Sequence, residues 1–135
     1  MKKLYLLLPL LLAGCSAPNS AITSCESQLA IRQIQTREYE AVTSAQAMRA
    51  SIATLQDVDF VLDKVDATLG TISATKYHRG TTVKMTITVR EKAPNIAIVR
   101  ANATYGQSVV EDPSIYQDFF AMLDKSLFLV KNQVD

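Results

Sequence analysis

Thr82–Arg90 reads TVKMTITVR, and its alternation decides the fold. Val83, Met85, Ile87 and Val89 fall on one side and Lys84, Thr86, Thr88 and Arg90 on the other, the period of a half-buried β-strand. Beyond a turn at Glu91–Asn95, the run Ile96–Thr104 returns as a hairpin partner with Ala97, Val99, Ala101 and Ala103 inward. Those small side chains leave space for something bulky across the sheet. The end of the chain supplies it. Asp112 can cap a helix, and Pro113 suits the first helical position, where a missing N–H costs nothing. Ile115, Phe119 and Met122 then form one apolar row, and Tyr116, Phe120, Leu123, Leu127 and Val130 form its neighbour. A stripe that wide must be buried.

Upstream of the hairpin, Thr43 and Gln46 form a capping box, with Ala45, Met48, Ile52 and Leu55 at helical spacing behind it. That helix should end near Asp57. Phe60–Val65 and Leu69–Lys76 read as short strands joined by a bend at Asp66–Gly70, and Tyr77–Gly80 reads as a tight turn. Ile31–Tyr39, rich in Gln, Thr and Arg, suits an edge strand with one wet face. The expected order is β-α-β-β-β-β-α. This is an α+β domain: an antiparallel sheet, two helices on one face, the other face wet.

The first residues are of a different kind. Lys2 and Lys3 precede a nearly unbroken apolar run, Leu4–Leu12, too short for the roughly 20 residues of a spanning helix. The run closes on Leu12, Ala13, Gly14 and Cys15. This layout is that of a secretory signal, and its end resembles the bacterial lipobox. The resemblance implies cleavage before Cys15 and a diacylglycerol and N-acyl chain on that cysteine as the anchor. Acyl chains contribute about 0.8 kcal/mol per buried methylene, so two or three hold where one does not. Ser16 in place of Asp implies, by the sorting rule of enteric lipoproteins, the outer membrane, with the domain facing the periplasm. The chain thus divides into a signal peptide (1–14), a lipidated Cys and flexible linker (15–30) and one domain (31–135). Without Lys2 and Lys3 the net charge moves from +1 to about −1, which offers no field for nucleic acid. Cys25 is then the only thiol, a candidate for an intermolecular disulfide or a free cysteine in a tether.

Three signatures carry a family resemblance: Leu55–Phe60 (LQDVDF), Leu69–Lys76 (LGTISATK) and Ile115–Leu129 (IYQDFFAMLDKSLFL). Together they resemble a family of small proteobacterial outer-membrane lipoproteins with no established activity. The likeness spans nearly the whole of 15–135, with Val58-Asp59 standing where that family usually has Leu-Gly. More distantly, the plan is similar to the helix-grip domains of the C subunit of the outer-membrane β-barrel assembly machinery, an architectural likeness that does not transfer function.

Catalytic machinery is not visible in the residues. The one imidazole, His78, sits beside Arg79 and Gly80, and Cys25 lies far away in sequence. Zinc wants three or four ligands, and Asp57, Asp59, Asp63 and Asp66 lack the spacing of a calcium loop. We therefore expect no enzyme, no metal and no cofactor. Two surface features stand out. Lys76, His78 and Arg79, with Lys84 and Arg90 on the neighbouring wet face, could meet a lipid head group or an acidic protein surface. Arg32, Gln33, Gln35 and Arg37 on the expected edge strand could accept a partner strand. The leading expectation is a non-catalytic binding or accessory subunit of a cell-envelope complex, held by its lipid and contacting another envelope protein. The alternatives are a lipid or small-ligand carrier and an envelope enzyme.

Overall fold

A computed structural model of the chain describes residues 20–132. Along them run helix α1 (Ser20–Gln35), strand β1 (Thr36–Glu40), helix α2 (Ser44–Asp57), strands β2 (Val61–Asp66), β3 (Thr71–His78), β4 (Thr81–Ala93), β5 (Ile96–Tyr105) and β6 (Ser108–Val109), and helix α3 (Pro113–Lys131). The strands form one antiparallel sheet in the order β1-β5-β4-β3-β2, with β6 beside the far end of β5. The α+β plan is as the alternation requires.

The sheet is built around β4. Met85, Ile87 and Val89 are buried on one face, opposite Ala103, Ala101 and Val99 of β5 in register. The turn expected over Glu91–Asn95 is tighter than that. β4 continues to Ala93 through an irregularity between Glu91 and Ala93, leaving Pro94 and Asn95 to reverse the chain. Asn95 adopts φ 60°, which its short polar side chain tolerates. Likewise β3 reaches His78, so the preceding hairpin turns on Arg79 and Gly80 alone, both at positive φ as a primed two-residue loop demands.

Both predicted caps form. Thr43 Oγ1 accepts from the Gln46 amide while the Gln46 side chain accepts from the Thr43 amide. Asp112 accepts from the Ser114 amide and hydroxyl, bonds that hold its carboxyl below the usual carboxylate range. In α3, Tyr116, Phe119, Phe120, Leu123 and Leu127 are buried in one core cluster with the β5 alanines, and the Tyr116 hydroxyl reaches the Ala103 amide. In α2 the buried face is wider than the expected one. Met48 and Leu55 are buried and Ile52 packs against the core as expected, but Ala45 is exposed, and Ala47, Ala50, Ser51 and Thr54 are buried as well, because α2 meets both the sheet and α3. Its small residues permit a close approach, and the hydroxyls of Thr54 and Ser126 bridge the two helices at 3.0 Å.

Gly70 makes the strongest local demand. Its φ is +69°, its carbonyl accepts from the Val89 amide at 2.7 Å, and a Cβ there would lie 2.2 Å from the Val89 oxygen. The turn into β3 therefore closes directly onto β4.

The largest departure from expectation is the start of the domain. The linker expected to reach residue 30 is already helical from Ser20, and the strand expected over Ile31–Tyr39 splits at Gln35. Period-two alternation across Ile31–Gln35 puts Ile31 with Gln33 and Gln35, which gives no apolar face. Helical spacing instead groups Ile31, Ile34 and Gln35, the three most sheltered residues of that stretch. Strand geometry begins only at Thr36. The described residues therefore form three helices, α2 and α3 under the sheet and α1 at its β1 end, where α1 touches α3, β1 and β5.

Candidate binding surface

Register fixes which side chains share the face of the sheet away from α2 and α3. Across the strands, Thr36 pairs with Arg100, Arg100 with Thr88, and Thr88 with Thr71. The adjoining rows run Asn102–Thr86–Ser73 and Thr104–Lys84–Thr75. Paired residues point the same way, so this side is a platform of hydroxyls and cations, except at its β3 edge, where Thr75 is buried and its hydroxyl donates to the Asp63 carboxylate. The opposite side is the hydrocarbon core.

At one corner of the platform the last turn of α1 rises beside the strands. Arg32 of α1, Thr36 of β1, Thr88 and Arg90 of β4, and Ile98 and Arg100 of β5 line a cleft of about 340 Å³. Arg90 is paired with Ile98 and Arg100 with Thr88, so the two arginines are diagonal neighbours on one face. In that arrangement the two residues lie about 7–8 Å apart, within reach of one small ligand.

The residues singled out in the sequence separate into two groups. Arg32, Lys84 and Arg90 are exposed on the cleft or the platform, Gln33 is exposed on α1, and Arg79 is exposed in its hairpin turn. His78 is the last residue of β3 and not part of a loop. The others face the core side. Gln35 is 3% exposed, and its Nε2 donates to the Tyr116 hydroxyl, which also accepts from the Ala103 amide and donates to the Val110 carbonyl. Arg37 donates to Asp124 at 3.0 Å and lies over the Phe120 ring, 4.8 Å from its centre. Lys76 donates to the Val58 carbonyl at 2.9 Å, with its ammonium over the Phe60 ring. The expectation of one basic surface joining Lys76 to Lys84 and Arg90 is therefore corrected: they lie on opposite faces of the sheet. The edge proposed for strand addition is corrected too, shrinking to Thr36–Glu40, with Arg32, Gln33 and Gln35 removed to a helix.

Beside Arg37, Tyr39 donates to the other oxygen of Asp124 at 2.9 Å. Burial, then the hydrogen bond and charge of Asp124, push its hydroxyl well above the ordinary tyrosine range, outweighing the opposing influence of Arg37. This corner clamps β1 to α3.

Thr36, Thr88, Ile98 and Arg100 are the cleft residues that sequence reasoning did not single out. A signal existed. With Ala97, Val99, Ala101 and Ala103 inward, Ile98, Arg100 and Asn102 must point outward, beside the outward side of β4.

Among the described residues there is no group of three or more His, Cys, Asp or Glu placed to hold a metal ion, and no helix long and apolar enough to cross a membrane. Leu12, Ala13, Gly14 and Cys15 lie outside the described residues. No family model and no curated protein matches the chain.

Proposed function

We propose that the protein is a non-catalytic lipoprotein of the outer membrane, anchored through Cys15, whose domain faces the periplasm and binds another envelope protein through the open face of its sheet. The observation that carries this reading is the contrast between the faces. One is filled by a core in which Tyr116, Phe120 and Leu123 are fully buried together with the β5 alanines, the space an internal carrier would need. The other displays an ordered array of Thr, Ser, Lys, Arg and Asn with neither α2 nor α3 upon it. Hydroxyl and guanidinium groups on a rigid sheet suit a polar interface with many hydrogen bonds. Anchoring supplies what such an interface lacks in apolar area, since confinement to a surface raises the effective concentration of a weakly binding module.

Crosslinking in intact envelopes followed by affinity capture tests the binding role. A stoichiometric protein adduct is expected, and recovery of the chain alone would contradict the reading. Cys15→Ala tests the anchor separately. It should abolish acylation and move the protein out of the membrane fraction, whereas unchanged mass and fractionation would refute the lipobox.

A further inference from the structure

We infer that the corner cleft between α1 and the sheet is a binding site for a phosphate group. Three guanidinium-bearing residues, Arg32, Arg90 and Arg100, line it together with the hydroxyl-bearing Thr36 and Thr88. The cations elsewhere around β1 have carboxylate partners: Arg37 pairs with Asp124 at 3.0 Å and Lys92 with Glu38 at 2.8 Å. Among the described residues the three cleft arginines have none within ion-pair distance. Glu38 lies beyond Ile98 from Arg90 and is taken up by Lys92. Glu111 lines the adjoining cleft, which shares Arg32 and Arg100, and leaves the Arg90 side free of it.

Like charges placed diagonally on adjacent strands, with a third brought over them by a helix, repel one another. Arg32 alone has a local rationale, as a cation in the last turn of α1. Arg90 and Arg100 have no such local rationale. An anion in the cleft would relieve all three. A carboxylate offers two oxygens and one charge, which a single guanidinium fork satisfies. A phosphomonoester offers three terminal oxygens and a charge of roughly −1.5 to −2 near neutral pH, matching several forks plus hydroxyl donors. Thr36 and Thr88 flank Arg100 in one cross-strand row, so their hydroxyls fall on both sides of the central guanidinium. The cleft volume of about 340 Å³ admits a phosphate with its first substituent. The inference does not depend on lipidation or on a protein partner.

The group can come from a free phosphate compound or from a lipid head group, and one titration separates them. The full chain, held in neutral detergent at low salt, is titrated calorimetrically with inorganic phosphate and with short-chain dihexanoyl phosphatidic acid. Saturable binding of at least one probe is expected. Arg90→Gln and Arg100→Gln should each weaken it about ten-fold or more, the loss typical of a charge-assisted hydrogen bond. Lys84→Gln, on the same face outside the cleft, should change it less than about two-fold. Equal affinity for the two probes assigns a free phosphate, and tighter binding of the lipid assigns a head group. The inference is overturned if neither probe saturates, if both arginine variants bind like the parent, or if a hexaglutamate peptide binds more tightly than either probe. Arg32→Gln provides a third reading, on an exposed residue whose loss leaves the sheet untouched.

Discussion

The two faces of this sheet are made by the same strands and obey opposite rules. On the core side β5 presents Ala97, Val99, Ala101 and Ala103, all fully buried, and α3 answers with aromatic rings. On the open side the same strand presents Ile98, Arg100 and Asn102 to its neighbours' threonines. Stability is concentrated on the first face, and the proposed recognition falls on the second. Substitutions should therefore separate cleanly by side.

The largest effect is expected on the core side. Phe120→Ala removes a fully buried ring that also supports the Arg37 guanidinium, and should cost about 3–5 kcal/mol in denaturant unfolding. A loss below about 1 kcal/mol would mean that the two faces are not energetically distinct. Next comes Gly70→Ala, where a left-handed backbone is combined with a collision against the Val89 oxygen. It should cost at least about 2 kcal/mol, more than Gly80→Ala, whose added Cβ meets nothing within 4 Å. Equal losses at the two glycines would show that the close approach to β4 is unimportant.

The clamp at Tyr39 predicts a pH effect with a definite sign. Its folded hydroxyl ionises well above the ordinary value of 10.0, so the neutral form stabilises the fold. That contribution is fully present below about pH 10 and is lost as pH rises beyond it. Stability measured at pH 8 and pH 11 should fall more in the parent than in Tyr39→Phe. An identical fall in both would remove Tyr39 from the account. The smallest effect belongs to the open side: Thr86→Ala, in the middle of the platform, should leave stability within about 0.5 kcal/mol.

Local signals carried much of this fold into the sequence. The alternation of Thr82–Arg90, the Thr43/Gln46 box and the Asp112-Pro113 start each involve residues within a few positions of one another, and each appears where the pattern puts it. What stayed hidden depends on distant partners. Gln35 is a polar residue that becomes core because Tyr116, 81 positions away, accepts its hydrogen bond. Arg37 and Lys76 look like solvent-facing charges until Asp124 and the Val58 carbonyl are brought to them. The α1–β1 junction was obscure because Ile31–Gln35 carries two apolar residues, too few to distinguish the helical period from the strand period. The cleft draws on α1, β1, β4 and β5, so spacing along the chain could display only its pieces.

The claim that the open face is the recognition surface is tested most directly by site-specific photocrosslinking in intact envelopes. The reactive side chain is placed in turn at Asn102 on the platform and at Gln117 on the exposed side of α3. A discrete, reproducible adduct with another envelope protein from position 102, and none from position 117, is the predicted result. An adduct from position 117 with none from 102 would contradict the account.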